Sequence, residues 1–257
     1  MATGAEPRTL EARATIMENP IYIALSRQDA LRRQMDVVAN NLANMTTPSY
    51  KNQRMMFLEY LAKPAATPVE KVSMVQDYGV LRNTAPGPIT STNNPLDVAL
   101  QGDGYLAVET RDGQKFTRNG HLTLDLDRQI VDVNGLPVLD EQDNPLTVPQ
   151  NAGAITITAD GMVSSSQGQI GRLKVVRFER EQFMKELGGG LYTADEEPRP
   201  APNTKVIQGA VEDSNVQSVV EMTQMIEISR QYANNQKIID AEHERQRNAI
   251  TKLSRLS

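Results

Sequence analysis

No glycine or proline interrupts the last part of the chain, residues 211–257, so a single helix can run through it. Within it, Ser218 followed three residues later by Glu221 fits a capping box, which is a helix-start signal. Apolar residues then fall on one heptad seam: Met222, Met225, Tyr232, Ile239, Ile250 and Leu253. Polar residues interrupt that seam: Ser229, Gln236, His243 and Gln246. The segment predicts one long helix over roughly residues 218–253.

A second long helix is predicted near the other end of the chain. Asn19 is a good N-cap, and Pro20 suits the first helical position. Apolar residues follow at spacings of 4, 3, 4 and 3: Leu31, Met35, Val38, Leu42 and Met45. Pro48 disfavours helix at the residue before it, so we expect a helix of roughly 26 residues. Residues 1–16 lack this pattern and are expected to be a dispensable extension.

The middle of the chain changes to the two-residue period of β-strands. Apolar residues alternate with other residues in the runs 122–126, 155–157 and 173–175. Turn dipeptides separate such runs: Asp112-Gly113, Asn119-Gly120, Asn134-Gly135 and Asp160-Gly161. The proline-scattered residues 62–103 are expected to be irregular, and the glycine- and proline-rich residues 188–205 to be a loop or linker.

These patterns together predict an α+β fold. The N- and C-terminal helices are expected to pair as a coiled coil, with a mostly antiparallel β middle domain between them. The expected segments are an extension (1–16), the N-terminal helix and turn (17–61), an irregular connector (62–103), the β domain with its linker (104–205) and the C-terminal helix (206–257).

Composition argues against several function classes. The chain has no cysteine, which removes disulfides, thiolate metal sites and a cysteine nucleophile. Its formal net charge is -5 without a basic stripe, so no nucleic-acid partner is expected. No run of 18 apolar residues occurs, so no direct membrane span is predicted. The histidines, His121 and His243, are far apart in the sequence, so we predict no metal, no cofactor and no enzymatic activity.

The two seams favour a function in assembly. A helix with an apolar seam gains most of its stability by packing that seam against a partner. Amide side chains on the remaining helix faces donate and accept hydrogen bonds, which suits repeated contacts between copies. The predicted assembly interface comprises both kinds of residue: Leu31, Met35, Val38, Asn40, Asn41, Leu42, Asn44, Met45, Met222, Met225, Ile226, Tyr232, Ile239, Ile250 and Leu253. A private antiparallel hairpin that merely closes the domain is the open alternative.

The N-terminal segment resembles that of the flagellar rod and hook axial proteins. Residues 39–44 read ANNLAN, which is the core of the family's N-terminal motif. Tyr50-Lys51 matches the aromatic-lysine step that follows. The family usually has Thr-Gly before the aromatic residue, where this chain has Pro48-Ser49.

The resemblance continues along the chain to its end. Residues 94–105 are similar to the family segment NPLDVA-x-x-G-x-GF, and Phe116 to Gly120 to its aromatic-Thr-Arg-Asp/Asn-Gly step. Ser214-Asn215-Val216 and the helix behind it resemble the C-terminal pattern. Several motifs in the same order make the likeness specific.

The resemblance implies a structural subunit of the bacterial flagellar basal-body rod. The short connection after the first helix is most similar to the proximal rod members; distal rod and hook members are the alternatives. It implies synthesis in the cytoplasm, export through the flagellar type III apparatus without a cleaved signal peptide, and a place in the rod that crosses the periplasm. The implied partners are copies of itself and neighbouring proximal and distal rod subunits. A periplasmic glycan-acting enzyme or a one-to-one adaptor remains open as a different class of function.

Overall fold

The computed structural model describes residues 8–62 and 72–254, and these form two compact units. The helical unit contains the residues up to Leu42, Gln53–Leu81 and those from Ser218 onward. The β unit contains Ala43–Asn52 and Arg82–Gln217. The predicted α+β fold with a mostly antiparallel β middle is confirmed.

Two long helices belong to the helical unit. Helix α1 spans Arg8–Ala43 and helix α2 spans Ser218–Ser254. The predicted extent of α2 is confirmed, but the predicted start of α1 at Asn19-Pro20 is wrong. Residues 8–18 are rich in Leu, Glu, Ala, Arg and Met and contain no glycine or proline. Their helix propensity outweighs the start signal, so the helix includes residues that the sequence pattern assigned to an extension.

The C-terminal end of α1 is followed by a turn. The Thr47 amide donates to the carbonyl oxygen of Asn44 at 3.1 Å, and its Oγ1 donates to Asn44 Oδ1 at 3.2 Å. Met45 lies in this turn. The apolar seam of α1 therefore ends at Leu42, and the prediction that Met45 continues it on the helix is wrong.

Strands occupy much of the segment that was expected to be irregular. Strands β1 (Gln53–Ala62) and β2 (Val72–Arg82) form a two-stranded sheet. Strands β3 (Ile89–Ser91) and β4 (Val98–Gln101) follow. Pro86, Pro88 and Pro95 lie between these strands, where they remove no ladder hydrogen bond. They therefore do not make the whole segment irregular, as their spacing in the sequence suggested. Pro64 and Pro68 lie outside the described residues.

The partners of β3 and β4 come from much later in the chain. Strand β16 (Lys205–Gln208) pairs with β4, and β17 (Ala210–Glu212) pairs with β3, both antiparallel. These pairings bring both ends of the β unit together. Local sequence patterns carry no sign of them, because the partners are more than a hundred residues apart.

The largest sheet has six strands, all in antiparallel pairs. In spatial order they are β13 (Lys185–Gly188), β14 (Leu191–Thr193), β6 (Gly113–Thr117), β5 (Tyr105–Thr110), β12 (Val175–Arg177) and β15 (Arg199–Pro200). A short 3-10 helix, Glu181–Phe183, precedes β13. The predicted loop over residues 188–205 is therefore wrong in part, since β14 and β15 lie within it.

Smaller sheets complete the β unit. Strands β9 (Thr156–Ile157), β10 (Met162–Ser165) and β11 (Gly168–Arg172) form one, and β7 (Thr123–Leu124) pairs with β8 (Ile130–Val131). The predicted alternation over residues 122–126 breaks at Leu126, which is 102% exposed. Asp125 Oδ1 accepts the Gln129 amide at 2.7 Å and closes a turn there, which overrides the strand pattern.

Strand β5 is buried on both faces and divides the core. Leu106 and Val108 belong to an apolar cluster on one face, and Tyr105 and Ala107 to a more aromatic cluster on the other. The first cluster gathers residues from six strands and from the segments between strands: Val98, Leu100, Leu106, Val108, Leu122, Ile130, Val138, Leu146, Val148, Ala152, Ile157, Val163, Leu173 and Val206. The second gathers Tyr105, Ala107, Phe116, Leu139, Val176, Phe178, Met184 and Tyr192.

Three of the four predicted turn glycines have left-handed backbone angles. Gly113, Gly135 and Gly161 have φ of 94°, 77° and 82°. Gly120 differs, because a lack of space and not a left-handed angle requires glycine there. An added Cβ would lie 1.7 Å from the carbonyl oxygen of Val98. The Asn119-Gly120 pair therefore marks a close approach of two backbones.

We expect Gly120→Ala to destabilise the β unit by about 3 kcal/mol or more, because the added methyl meets rigid backbone. Gly135→Ala is the matched control, since an added Cβ there meets nothing within 4 Å and only the left-handed angle is penalised, by about 1–2 kcal/mol. Urea unfolding followed by circular dichroism measures both. Equal losses for the two variants would contradict the close-approach account.

Candidate assembly surface

The two helices contribute to one apolar cluster inside the helical unit. Leu31 and Val38 of α1 and Ile228 of α2 are its buried members. Three half-buried residues pack against them: Met35, Met225 and Tyr232. Ala24 and Ile239 are also buried. Of the predicted seam residues, Leu31, Met35 and Val38 of α1 and Met225, Tyr232 and Ile239 of α2 thus face inward.

At alternate positions of the α2 seam, the buried residue is one position earlier in the chain than the predicted one. Ile228 and Asn235 are buried, whereas the predicted seam residues Ser229 and His243 are exposed and Gln236 is half-buried. The buried row follows spacings of 4 and 3 through residues 221, 225, 228, 232, 235 and 239. The predicted seam begins at Met222 and shares residues 225, 232 and 239 with this row. Its other positions in this range, 222, 229 and 236, each lie one residue after a buried position.

The polar members of the true seam are hydrogen-bonded. Asn235 Nδ2 donates to the Ala24 carbonyl oxygen at 2.8 Å and to Gln28 Oε1 at 3.3 Å. Gln28 Nε2 in turn donates to Gln236 Oε1 at 2.7 Å. The polar side chains at this layer of the seam therefore have partners, which reduces the penalty of burying Asn235.

Asn41 was predicted to face neighbouring copies, but it is buried. Its Nδ2 donates to Glu221 Oε2 at 3.1 Å and to the Gln53 carbonyl oxygen at 2.8 Å. Its Oδ1 accepts the Gln53 amide at 2.9 Å. Asn41 thus ties α1 to α2 and to the first residue of β1, which is an internal structural role. Asn40 is exposed and Asn44 is half-buried.

Several apolar residues of α2 face outward. Val219, Met222 and Ile226, at spacings of 3 and 4, are 75%, 46% and 54% exposed, and we call them the outer apolar stripe. Ile250 is also exposed, and on α1 Tyr22 and Leu25 are exposed. Leu42 is half-buried and Met45 is exposed. The side chain of Leu253 lies outside the described residues.

A buried cluster of charges lies in the β unit, and none of its three members is a predicted interface residue. Glu212 Oε1 is 2.6 Å from Lys51 Nζ, and Glu212 Oε2 is 2.6 Å from Arg118 Nε. All three side chains are at most 3% exposed. We call this Lys51–Glu212–Arg118 arrangement the ion triad.

Backbone groups complete the hydrogen bonding of the ion triad. Lys51 Nζ donates to the Ala85 carbonyl oxygen at 2.9 Å, and Glu212 Oε1 accepts the Gly87 amide at 2.9 Å. The Arg118 guanidinium donates to the carbonyl oxygens of Gly102 at 2.8 Å and Gly104 at 3.2 Å.

Burial and charge act in opposite directions on the ion triad. Burial lowers the pKa of Lys51 below its ordinary value, more strongly than its bond to Glu212 raises it. Burial acts to raise the pKa of Glu212, but the cations Arg118 and Lys51 outweigh it, so that pKa lies below its ordinary value. The carboxylate is therefore held in its charged form.

The turn before Lys51 explains the departure from the family motif. Ser49 has a left-handed backbone with φ of 59°, a conformation that glycine adopts without strain. The Ser49 amide donates to the Glu212 carbonyl oxygen at 2.7 Å, and its Oγ donates to the Arg118 carbonyl oxygen at 2.8 Å. The serine thus forms a side-chain bond, unavailable to glycine, that offsets its backbone strain.

Among residues 8–62 and 72–254, no three His, Cys, Asp or Glu side chains are grouped so as to hold a metal ion. His121 Nδ1 instead lies 2.9 Å from Oδ1 of the buried Asp97. No helix in the same part of the chain is long and apolar enough to cross a membrane.

Family models match three separate parts of the chain. Residues 21–51 match the flagella basal body rod protein model, residues 99–165 the FlgE/F/G flagellar hook protein D1 domain, and residues 207–252 the FlgEFG basal body rod protein C-terminal model. The flagellar basal-body rod protein FlgF of Caulobacter vibrioides is 37% identical over 94% of this chain and 100% of its own length. The chain belongs to the flagellar basal-body rod protein family.

Other relatives agree with this assignment. FlgF of Escherichia coli is 33% identical over 88% of this chain and 94% of its own length. FlgG of Bacillus subtilis, which is also named as a rod protein, is 27% identical over 89% of this chain and 96% of its own length. The predicted function is confirmed: this family member is a structural subunit of the proximal rod, most like FlgF, and it belongs with the other rod components in the flagellar basal body.

Each matched part supplies one member of the ion triad. Lys51 ends the first matched segment, Arg118 lies in the second and Glu212 in the third. One residue from each matched part therefore lies in this buried cluster of the β unit, where its role is structural. The sequence pointed to Lys51 and Arg118 as motif residues but gave no partner for either, and Glu212 was missed.

Because of the ion triad, the free energy of unfolding depends on pH. Because the folded pKa of Glu212 lies below its ordinary value of 4.5, its contribution is complete above that value and is lost as pH falls through the folded pKa. We expect the free energy of unfolding to fall more steeply between about pH 5 and pH 3 in the wild type than in Glu212→Gln, which cannot titrate there. Urea unfolding at a series of pH values measures this.

Glu109→Gln serves as the control for the acid experiment, since Glu109 is an exposed carboxylate of the same unit. Its pH dependence should match that of the wild type. Equal slopes for Glu212→Gln and the wild type would contradict the role assigned to Glu212.

Proposed function

We propose that the chain works by assembly, without catalysis, through the outward faces of its two end helices. The observation that carries this proposal is the outer apolar stripe on α2, formed by Val219, Met222 and Ile226. Contiguous exposed apolar surface is costly in water and marks interaction sites. Rod neighbours that cover this stripe would remove that cost.

The predicted interface divides into two classes on this proposal. The inward class packs α1 against α2 as a coiled coil within one subunit: Leu31, Met35, Val38, Leu42, Met225, Tyr232 and Ile239. The outward class contacts neighbours: Asn40, Asn44, Met45, Met222, Ile226 and Ile250. Leu253 is assigned to neither class, because its side chain lies outside the described residues. Asn41 belongs to neither class, because it is buried against Glu221 and Gln53.

The partners in this proposal are copies of the chain and neighbouring proximal and distal rod subunits. The names of the relatives, FlgF and FlgG rod proteins, support partners of this kind. Export through the flagellar type III apparatus without a cleaved signal peptide remains part of the proposal, as implied by the family resemblance. The helical ends are then ordered fully only where neighbours cover them.

Ile226→Asp tests the outward class. Because Ile226 is more than half exposed, we expect folding of the subunit and its secretion to be retained. A charge in an apolar contact costs several kcal/mol, so incorporation into isolated basal bodies should fall at least about 10-fold. Incorporation is measured by immunoblot of purified basal bodies from a strain that lacks the native copy.

Val220→Asp is the matched control, since Val220 is exposed on the opposite flank of α2 and is not part of the outer apolar stripe. It should incorporate normally. Normal incorporation of Ile226→Asp, or equal loss with both variants, would contradict assembly through the stripe.

Hydrogen exchange on the isolated subunit tests the helix ordering. Amides of residues 21–43 and 220–250 should exchange at least about 10-fold faster than those of β5 and β6, because the helices lack their rod neighbours. Protection equal to that of the β unit would mean that the helices form a stable private hairpin and would overturn this part of the proposal.

A further inference from the structure

The ion triad joins parts of the chain that are far apart in sequence. Lys51 and Glu212 are separated by 161 residues, and Arg118 and Glu212 by 94. Closing such long loops has a conformational cost that must be met before the contact gives any stability. Contacts of this kind are therefore expected to form late in folding.

No member of the ion triad can be buried alone at low cost. Removing one partner from a buried ion pair leaves an uncompensated charge, which destabilises a protein far more than the pair stabilises it. Glu212 contacts both cations, so without its carboxylate Lys51 and Arg118 would repel each other inside the protein. The three side chains are consequently buried together or exposed together.

The backbone around the ion triad is fixed by the same contacts. Glu212 is the last residue of β17 and pairs with Ile89 of β3. Its carbonyl oxygen accepts the Ser49 amide, and its carboxylate accepts the Gly87 amide. Opening the triad therefore releases strand β17, the start of β3 and the segment around Ser49 at once.

A second bridge connects residues near Ser49 with those shortly before β3 and shortly after β17. Asn215 Oδ1 accepts the Asn52 amide at 2.7 Å, and its Nδ2 donates to the carbonyl oxygens of Asn83 at 3.0 Å and Ala85 at 2.8 Å. The Asn83 amide donates to the Asn52 carbonyl oxygen at 2.7 Å. Residues 49–52 are thus bound by segments 83–87 and 212–215 through backbone and side chain.

We infer that the ion triad is a completion latch for the β unit: Ala43–Asn52, β3 and β17 gain stable structure in one step, when Lys51, Arg118 and Glu212 come together. Ala43–Asn52 is then an integral part of the β unit, although the sequence pattern groups it with the N-terminal helix. In a chain that lacks Lys51 or Glu212, Ala43–Asn52, β3 and β17 stay open. Completion of the β unit therefore depends on both of these distant parts of the chain being present.

Hydrogen exchange of the full chain, followed by mass spectrometry, tests the latch with Glu212→Gln and Lys51→Met. In Glu212→Gln we expect the exchange rates of Ala43–Asn52, β3 and β17 to rise together by about 100-fold, as expected for loss of a buried ion-pair partner. In Lys51→Met the exchange rates of the same three segments should rise together by at least about 10-fold. The effect is smaller because Glu212 is still paired with Arg118.

Lys185→Met is the matched control, because Lys185 and Asp195 form a largely exposed ion pair of the same unit. Its exchange rates should change less than about 3-fold. Should Glu212→Gln fail to fold, Lys51→Met decides alone. Faster exchange confined to Ala43–Asn52, or unchanged exchange at β3 and β17 in Lys51→Met, would overturn the latch.

Discussion

Glu212 holds two cations inside the β unit, and the arrangement of the surrounding backbone depends on that contact. Taking three charges out of water is unfavourable, and hydrogen bonds to the Ala85, Gly102 and Gly104 carbonyl oxygens and the Gly87 amide offset that cost. Replacing a buried ion pair by apolar residues of similar volume often leaves a protein equally stable or more stable. The value of the ion triad lies in specificity, because a shifted chain register would leave a charge unpaired.

The family motifs acquire a physical meaning from this geometry. Two motif residues, Lys51 and Arg118, meet Glu212 inside one unit, although the three lie in distant segments of the sequence. Lys51 and Arg118 are long cations that reach a single carboxylate, and Ser49 occupies a backbone conformation favourable for glycine. A motif shared by rod proteins thus marks the interior of a subunit as readily as its contacts with neighbours.

Sequence periodicity predicted the elements whose stability is local and failed where partners are distant. The seam of α1 through Leu31 and Val38 followed from heptad spacing, and the extent of α2 from its capping box and its lack of glycine and proline. Asp112-Gly113 correctly marked a hairpin. Strands β3 and β4 were missed because they are three and four residues long and their partners lie after residue 204. The exposed Leu126 shows the opposite failure, since a local turn interrupted a convincing alternation.

The candidate site was predictable only in part for a related reason. Spacing identified which helix faces are apolar, but it could not distinguish Ser229 from Ile228 as the buried seam residue, since a neighbouring position differs by only 100° around a helix. A lone acidic residue at the end of an apolar strand, as in Ala210–Glu212, was a usable signal for a buried ion pair. Its partners could not be named without the fold.

The corrected register of α2 also explains how the helical unit combines order with an exposed apolar surface. Asn235 lies in the seam and bonds across to α1 through the Ala24 carbonyl oxygen. A polar seam residue that is satisfied in one register only favours that register over its alternatives, at some cost in stability. With the register fixed, Val219, Met222 and Ile226 must point outward, because a row about 130° away from the seam cannot be buried by the same neighbour. The stripe is therefore a consequence of the seam, and burying it requires a surface other than the one that α1 provides.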